Sequence, residues 1–260
     1  MNKNLFLFLA VSLFAVSCSS DDDSTPDTVA VGTGYAPLTT GSYWVYSVSG
    51  STQSGSDSLY IAHDTLINAK TYKKFKTKDA PFGFYSSALN NNGVRKDGDK
   101  LLVTGSTTVS LSEAVPFSIG VTDLVIFKES AQNDEQLGNV AGTITQNYNG
   151  LPIIIDYTLI TTAKPDVASL TVNNQSYTNV KTVQTEIFVK LSTTLGGVTV
   201  PVVNNQKIVT STQYFAEDIG VVKTVTDFSY TISQLLATNF NIPVSSQQHQ
   251  EEILLRYNVE

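Results

Sequence analysis

Two histidines and one cysteine limit the chemistry open to this chain of 260 residues. His63 sits beside Asp64, and His249 lies in the polar run Gln247-Gln248-His249-Gln250-Glu251-Glu252. A serine hydrolase needs a histidine base held against a nucleophile, and no Gly-x-Ser-x-Gly elbow is present. A glycosidase needs two carboxyls facing across a cleft. Asp156, Glu186 and Asp227 are the candidates on strand-like segments, and each alternates with apolar neighbours, as on the solvent face of a sheet. One Cys with two His excludes the usual Cys/His zinc site. Asp97-Gly98-Asp99 and Asp21-Asp22-Asp23 are acidic enough to touch calcium but lack the twelve-residue loop with its terminal Glu. They read as a turn and a tether. Lys70, Lys73, Lys74, Lys76 and Lys78 interleave with Tyr72 and Phe75. That run suits an anionic polysaccharide or phosphate, or an edge strand guarded by lysines. The 12 Tyr, 12 Phe and single Trp either fill a core or offer a platform for sugar rings. A net charge of −7 argues against nucleic acid. The residues therefore predict no catalytic group, cofactor or metal.

The N-terminus carries the sharpest signal. Lys3 precedes an apolar run of 12 residues, Leu5–Val16. That length suits a secretion signal and falls short of the roughly 20 residues needed to cross a bilayer. Ala15-Val16-Ser17-Cys18 then resembles a lipobox, with Ala15 where Leu is usual, so residues 1–17 read as a lipoprotein signal peptide and Cys18 as the lipidated residue. An ordinary secretory peptide cleaved near Ser17 is the plainer alternative. Cys18 is the only Cys, and a lone free thiol is otherwise a liability in an exported protein. Residues 18–29 follow as an acidic tether without a packing stretch.

The elements behind these residues read as strands. Val, Ile and Thr make up 74 of the 260 residues, an excess of β-branched side chains. Extended runs are expected at 43–48, 57–63, 71–78, 82–89, 100–104, 124–129, 141–148 and 153–160. From Thr182 to Leu191 the pattern has period two, with Val183, Thr185, Ile187, Val189 and Leu191 on the buried face. Asn92-Gly93, Asp97-Gly98 and Gly196-Gly197 read as hairpin turns, Asn204-Asn205 as a further turn, and Gly220 as the opening of a strand to Ile232. Helical turns are expected only near 134–137 and 233–237. Residues 30–260 are thus predicted to form a single all-β domain, the alternative being two β units divided near Lys164-Pro165-Asp166.

Three segments carry a family resemblance: Pro37-Leu38-Thr39-Thr40-Gly41-Ser42-Tyr43-Trp44-Val45-Tyr46, Val172 to Val180 with Tyr177 and Asn179, and Tyr214 to Lys223 with Asp218 at a usual Gly. Leu235-Leu236 stands for a closing leucine. Together they resemble Bacteroidetes lipoproteins of the TapB-like group, over most of residues 37–236. The Cys-Ser-Ser-Asp-Asp-Asp start at Cys18 is also common among such lipoproteins, where it can mark export to the cell surface. The resemblance implies a large curved antiparallel sheet, half-barrel or clam-like and with little helix, similar to the Lol lipoprotein carriers. It brings no catalytic residues. The expected role is non-enzymatic binding or scaffolding by a lipid-anchored protein of the outer membrane, cell-surface exposed or on the periplasmic face, with a glycan or hydrophobic ligand as candidate partner. A carrier of lipid is the second expectation and an envelope hydrolase the third.

Overall fold

A computed structural model describes residues 34–259 apart from 52, 111–115, 149, 233, 235–236 and 239–242. The signal segment, Cys18 and the tether lie outside the described residues. The body is one antiparallel sheet of twelve strands. In chain order these are β1 (Tyr43–Gly50), β2 (Ser54–Ile67), β3 (Lys70–Thr77), then helix α1 (Phe84–Leu89), β4 (Gly93–Asp97), β5 (Lys100–Ser110), β6 (Pro116–Lys128), β7 (Gln136–Tyr148), β8 (Leu151–Val172), β9 (Gln175–Leu195), β10 (Val198–Ala216), β11 (Gly220–Thr231) and β12 (Ser245–Asn258). The sheet is large, all-antiparallel, nearly closed and barrel-shaped with a seam.

The chain starts in the middle of its own sheet. From β1 it meanders outward to β6 on one side, then returns from the opposite edge, β7, to β12 beside β1. The two edges are therefore consecutive in sequence, and the short turn between Lys128 and Gln136 holds them together. Across the seam the Thr161 hydroxyl donates to the Val125 carbonyl (2.6 Å) and Lys128 pairs with Glu135 (2.6 Å). Gly138 admits the close approach, since a Cβ there would stand 2.9 Å from the same carbonyl. Bulges between Val45 and Tyr46, Ile61 and His63, and Tyr214 and Phe215 bend the strands into the curve.

One end of the barrel is closed by residues before β1. Tyr35 is buried against Phe127, with ring centroids 5.8 Å apart, and its hydroxyl donates to the Asn179 carbonyl (2.8 Å). Trp44 donates to the Ile219 carbonyl (2.6 Å), and the Tyr46 hydroxyl to that of Val221 (2.8 Å). Gly220 has φ +95 and faces Pro37 and Trp44. Asp218 also takes a positive φ, 59°, which accounts for a glycine-favouring position there. The three segments behind the family resemblance thus meet at this closed end and build a packing joint.

The period-two face from Thr182 to Leu191 points inward as expected. Val183, Ile187, Val189 and Leu191 are buried, and Leu159, Ile187 and Val209 stand side by side across β8, β9 and β10. Gly196 and Gly197, both at positive φ, turn β9 into β10. Several expectations change. Residues 82–89 are not a strand, because most of α1 curls inside the barrel. Asn92-Gly93 is not a hairpin. The Asn92 amide instead donates to the carbonyls of Ala88 (2.7 Å) and Ser106 (2.9 Å), clamping α1 to β5. Asn204-Asn205 is a bulge within a continuous β10, since the register with β9 shifts between Val203 and Gln206. β8 continues through Lys164-Pro165-Asp166, where its register with β9 shifts, so no division falls there. Near 134 the chain makes a turn, and Gln136 already opens β7. The polar C-terminal run is β12, paired with β1 and β11 in mid-sheet.

Candidate functional site: the plugged open end of the barrel

The first residues of α1 and the loop before it are held by three side chains from the barrel wall. Phe82 and Gly83 donate their amides to the two Asp57 oxygens (2.9 and 2.7 Å). Phe84 donates to Gln250 Oε1 (2.8 Å), and the same amide group donates back to the Phe82 carbonyl (3.0 Å). Tyr85 donates to Glu252 Oε1 (2.6 Å), while the Ser86 amide and hydroxyl both donate to Oε2 (3.1 and 2.8 Å). Backbone amides entering a barrel need partners, and here β2 and β12 supply them. Ser86, Ser87 and Ala88 keep the helix slim enough to enter. Gly83 is required for space: a Cβ there would stand 2.1 Å from Glu252 Oε2.

Asp57 is 3% and Glu252 1% exposed, and neither makes an ion pair among the described residues. A buried carboxylate without a cation is costly even when hydrogen-bonded. Burial accordingly pushes the Glu252 carboxyl up to about 7, against the pull of the Ser86 hydroxyl and of the Tyr85 and Ser86 amides, with the Asp57 charge adding to the rise. Beside Glu252 the inner wall carries a polar belt. Gln213 donates to the Ser211 hydroxyl (2.8 Å), and Ser211 is bonded to Thr226 (2.8 Å).

Two spaces flank α1. On its inner side is a cavity of about 80 Å³ with mainly apolar walls, including Leu89, Ile119, Leu124, Leu159, Ile187 and Phe215. At the open end is a cleft of about 710 Å³ whose lining includes Phe82, Phe228, Val109, Gln248, His249 and Gln250. Phe84 and Thr107 line both. Among the described residues that line the cleft there is no Lys, Arg, Asp or Glu, and His249 is the one ionisable residue. The first described residues, Gly34 to Leu38, lie at the other, closed end, opposite the cleft.

The residues singled out from sequence fall elsewhere, except His249 at the rim of the cleft. His249 Nδ1 meets Asp227 Oδ1 at 2.8 Å, both side chains being more than half exposed. Ser51, the nearby hydroxyl, bonds to the His249 backbone and not to its ring. His63 is exposed in β2. Glu186 pairs with Lys207 (2.7 Å), and Asp156 accepts from Thr143 (2.7 Å). Glu186 and Asp227 share one row through Thr210, two strands and about 10 Å apart, on the outer face, where no cleft lies between them. Asp97 pairs with Arg95 and Asp99 bonds to Ser130. Among the described residues no three His, Cys, Asp or Glu side chains gather as metal ligands.

The lysine run is not on an edge strand, because β3 lies between β2 and β4. Lys73 pairs with Asp64, and Lys70 with Asp123. Asp123 also accepts from Tyr72 (2.6 Å) and Arg95 (2.9 Å), and the Arg95 bond holds its carboxyl well below the usual range. Lys70, Lys73 and Arg95 are thus engaged with carboxylates on the wall. Asp57, Gln250 and Glu252 were not legible as a site. Their one signal is parity, since Gln248, Gln250 and Glu252 alternate in phase with the apolar Leu254.

No family model matches the chain, and neither a curated protein nor a solved structure is significantly similar to it.

Proposed function

We propose that this chain is a lipid-anchored protein of the outer membrane, attached through Cys18, cell-surface exposed, and serving a non-enzymatic binding role through the open end of its barrel. The observation that carries the reading is the opposition of the two ends. Tyr35 to Leu38 seal the barrel at the end where the chain enters, and the cleft opens at the other. A chain anchored at Cys18 joins the barrel at its closed end, which leaves the cleft free for a partner. Two acyl chains give the stable anchoring that one does not. Membership of the TapB-like group belongs to the same proposal, and the meeting of its three segments at one packing joint supports it.

The absence of an enzymatic role is favoured by the exposed placement of His249 and Asp227 without a hydroxyl on the ring, and by the separation of Glu186 from Asp227 on a convex face. A second reading, carriage of a hydrophobic ligand, is favoured by the apolar cavity beneath α1. Its volume of about 80 Å³ is about half that of an engineered cavity that holds benzene, so a whole lipid chain does not fit while α1 stays in place.

Metabolic labelling with an alkyne palmitate tests the anchor. The wild type is expected to label and Cys18→Ala to lose the label. Equal labelling of both removes the anchor and the orientation that depends on it.

A further inference from the structure

We infer that the cleft and the apolar cavity form one amphiphile site, which takes an uncharged polar head at the open end and a short hydrocarbon tail beneath Phe84. The inference rests on the reading of the barrel as a binding body and adds the chemical class of what it binds. Three observations carry it. First, the two spaces adjoin, with Phe84 and Thr107 common to both linings. Second, they differ in character. The cavity is walled mainly by aliphatic and aromatic side chains and has the apolar character of cavities that stay dry and admit small hydrocarbons. The cleft offers Gln248 and Thr107 as hydrogen-bonding side chains beside the rings of Phe82 and Phe228, while its Gln250 amide and Thr226 hydroxyl are already bonded to the α1 loop and to Ser211. Third, among the described residues the cleft lining holds no Lys, Arg, Asp or Glu to pair with an ionic head, and His249, the one ionisable residue along it, is already bonded to Asp227.

The volumes set the tail length. A methylene group occupies about the space of a liquid water molecule, roughly 30 Å³, so about 80 Å³ holds about three carbons. Phe84 is the residue a tail must pass. Its amide is fixed to Gln250, while its half-buried ring borders both spaces. The tail therefore enters by a swing of the Phe84 side chain, and the backbone grip of Asp57 and Glu252 on α1 stays intact.

The test is a titration of residues 28–260 with a homologous series, methyl, propyl, butyl, hexyl and octyl β-glucoside, all below their micelle concentrations. Affinity is expected to rise about fourfold per added carbon up to propyl and then to level off. Pentanoate, with an anionic head and a comparable tail, is expected to bind at least tenfold more weakly than butyl glucoside. Ala88→Leu adds carbons from α1 to the same cavity and is expected to flatten the rise while methyl glucoside binds unchanged. A melting curve for the variant confirms that the barrel is intact. Should Ala88→Leu fail to fold, Phe84→Leu is titrated instead, with an extended rise expected as the constriction widens. The inference is overturned if no glucoside binds, if affinity is independent of chain length, if it climbs evenly to octyl as for a surface patch, or if pentanoate binds more tightly. None of these outcomes touches the lipidation result at Cys18, so the two proposals fail separately.

Discussion

Replacing Glu252 by Gln isolates the cost of the buried charge that holds α1. The Glu252 carboxyl is raised by burial from its ordinary 4.5 to about 7 in the folded barrel. The folded state therefore binds a proton more tightly than the unfolded chain. Its contribution to stability is fully present below about pH 4.5 and is lost as pH rises through 7. One pKa unit corresponds to about 1.4 kcal/mol, so a shift of this size amounts to about 3 kcal/mol, most of which is lost between pH 5 and 8. Asp64, Asp99, Asp123 and Glu135 are held low by hydrogen bonds and ion pairs, and they remain ionised over that whole interval. They add no slope there. Urea melts of residues 28–260 at pH 5, 6.5 and 8 are expected to show the wild type losing about 2–3 kcal/mol across the series. Glu252→Gln, which cannot ionise, is expected to lose less than about 1 kcal/mol. At pH 5 the variant is expected to be the less stable of the two, because its amide nitrogen meets a Ser86 amide that needs an acceptor. A variant that keeps the full slope refutes the assignment of the pH dependence to this carboxyl. A flat wild type refutes its burial as an unpaired charge.

Two further changes probe the packing around the same wall. Gly83→Ala drives a methyl group to 2.1 Å from Glu252 Oε2, and is expected to cost about 1–3 kcal/mol in a urea melt, the range for overpacking a well-filled interior. Ile187→Ala removes a fully buried side chain from the inner face of β9 and is expected to cost about 2–5 kcal/mol. Gln184→Ala on the outer face, where the amide makes one long bond to Thr212 (3.4 Å), is expected to stay within about 0.5 kcal/mol. A larger loss for Gln184→Ala than for Ile187→Ala would mean that the inner and outer faces of β9 are exchanged.

Local pattern alone settled a good part of this architecture. Period two from Thr182 to Leu191 can be satisfied only by a strand with one buried face, so the inward set was readable residue by residue. Gly196-Gly197 and Asp97-Gly98 turn the chain because a tight reversal favours positive φ, a preference of one or two residues that needs no partner. The β-branched excess fixed the class for the same reason: it acts on each residue's own backbone.

What the chain buries beyond these faces depended on neighbours far away in sequence. Phe82 to Leu89 alternate well enough for a strand, yet Asp57, Gln250 and Glu252 take the amides of residues 82–86, and the short helix that follows leaves those amides free to be taken. Asn204-Asn205 has turn residues, but β9 and β11 on either side keep β10 extended and reduce the pair to a bulge. The run from Gln247 to Glu252 reads as solvated because it contains no apolar residue. It enters the wall because β1 and β11 pair with it on both sides, and parity with Leu254 then turns Glu252 inward. Composition and period are properties of a segment, and the sequence carries them openly. The depth of Glu252, the plug it holds and the space beneath Phe84 arise only when β6 and β7 meet and close the sheet, bringing Ser86 and Glu252 together from 166 residues apart.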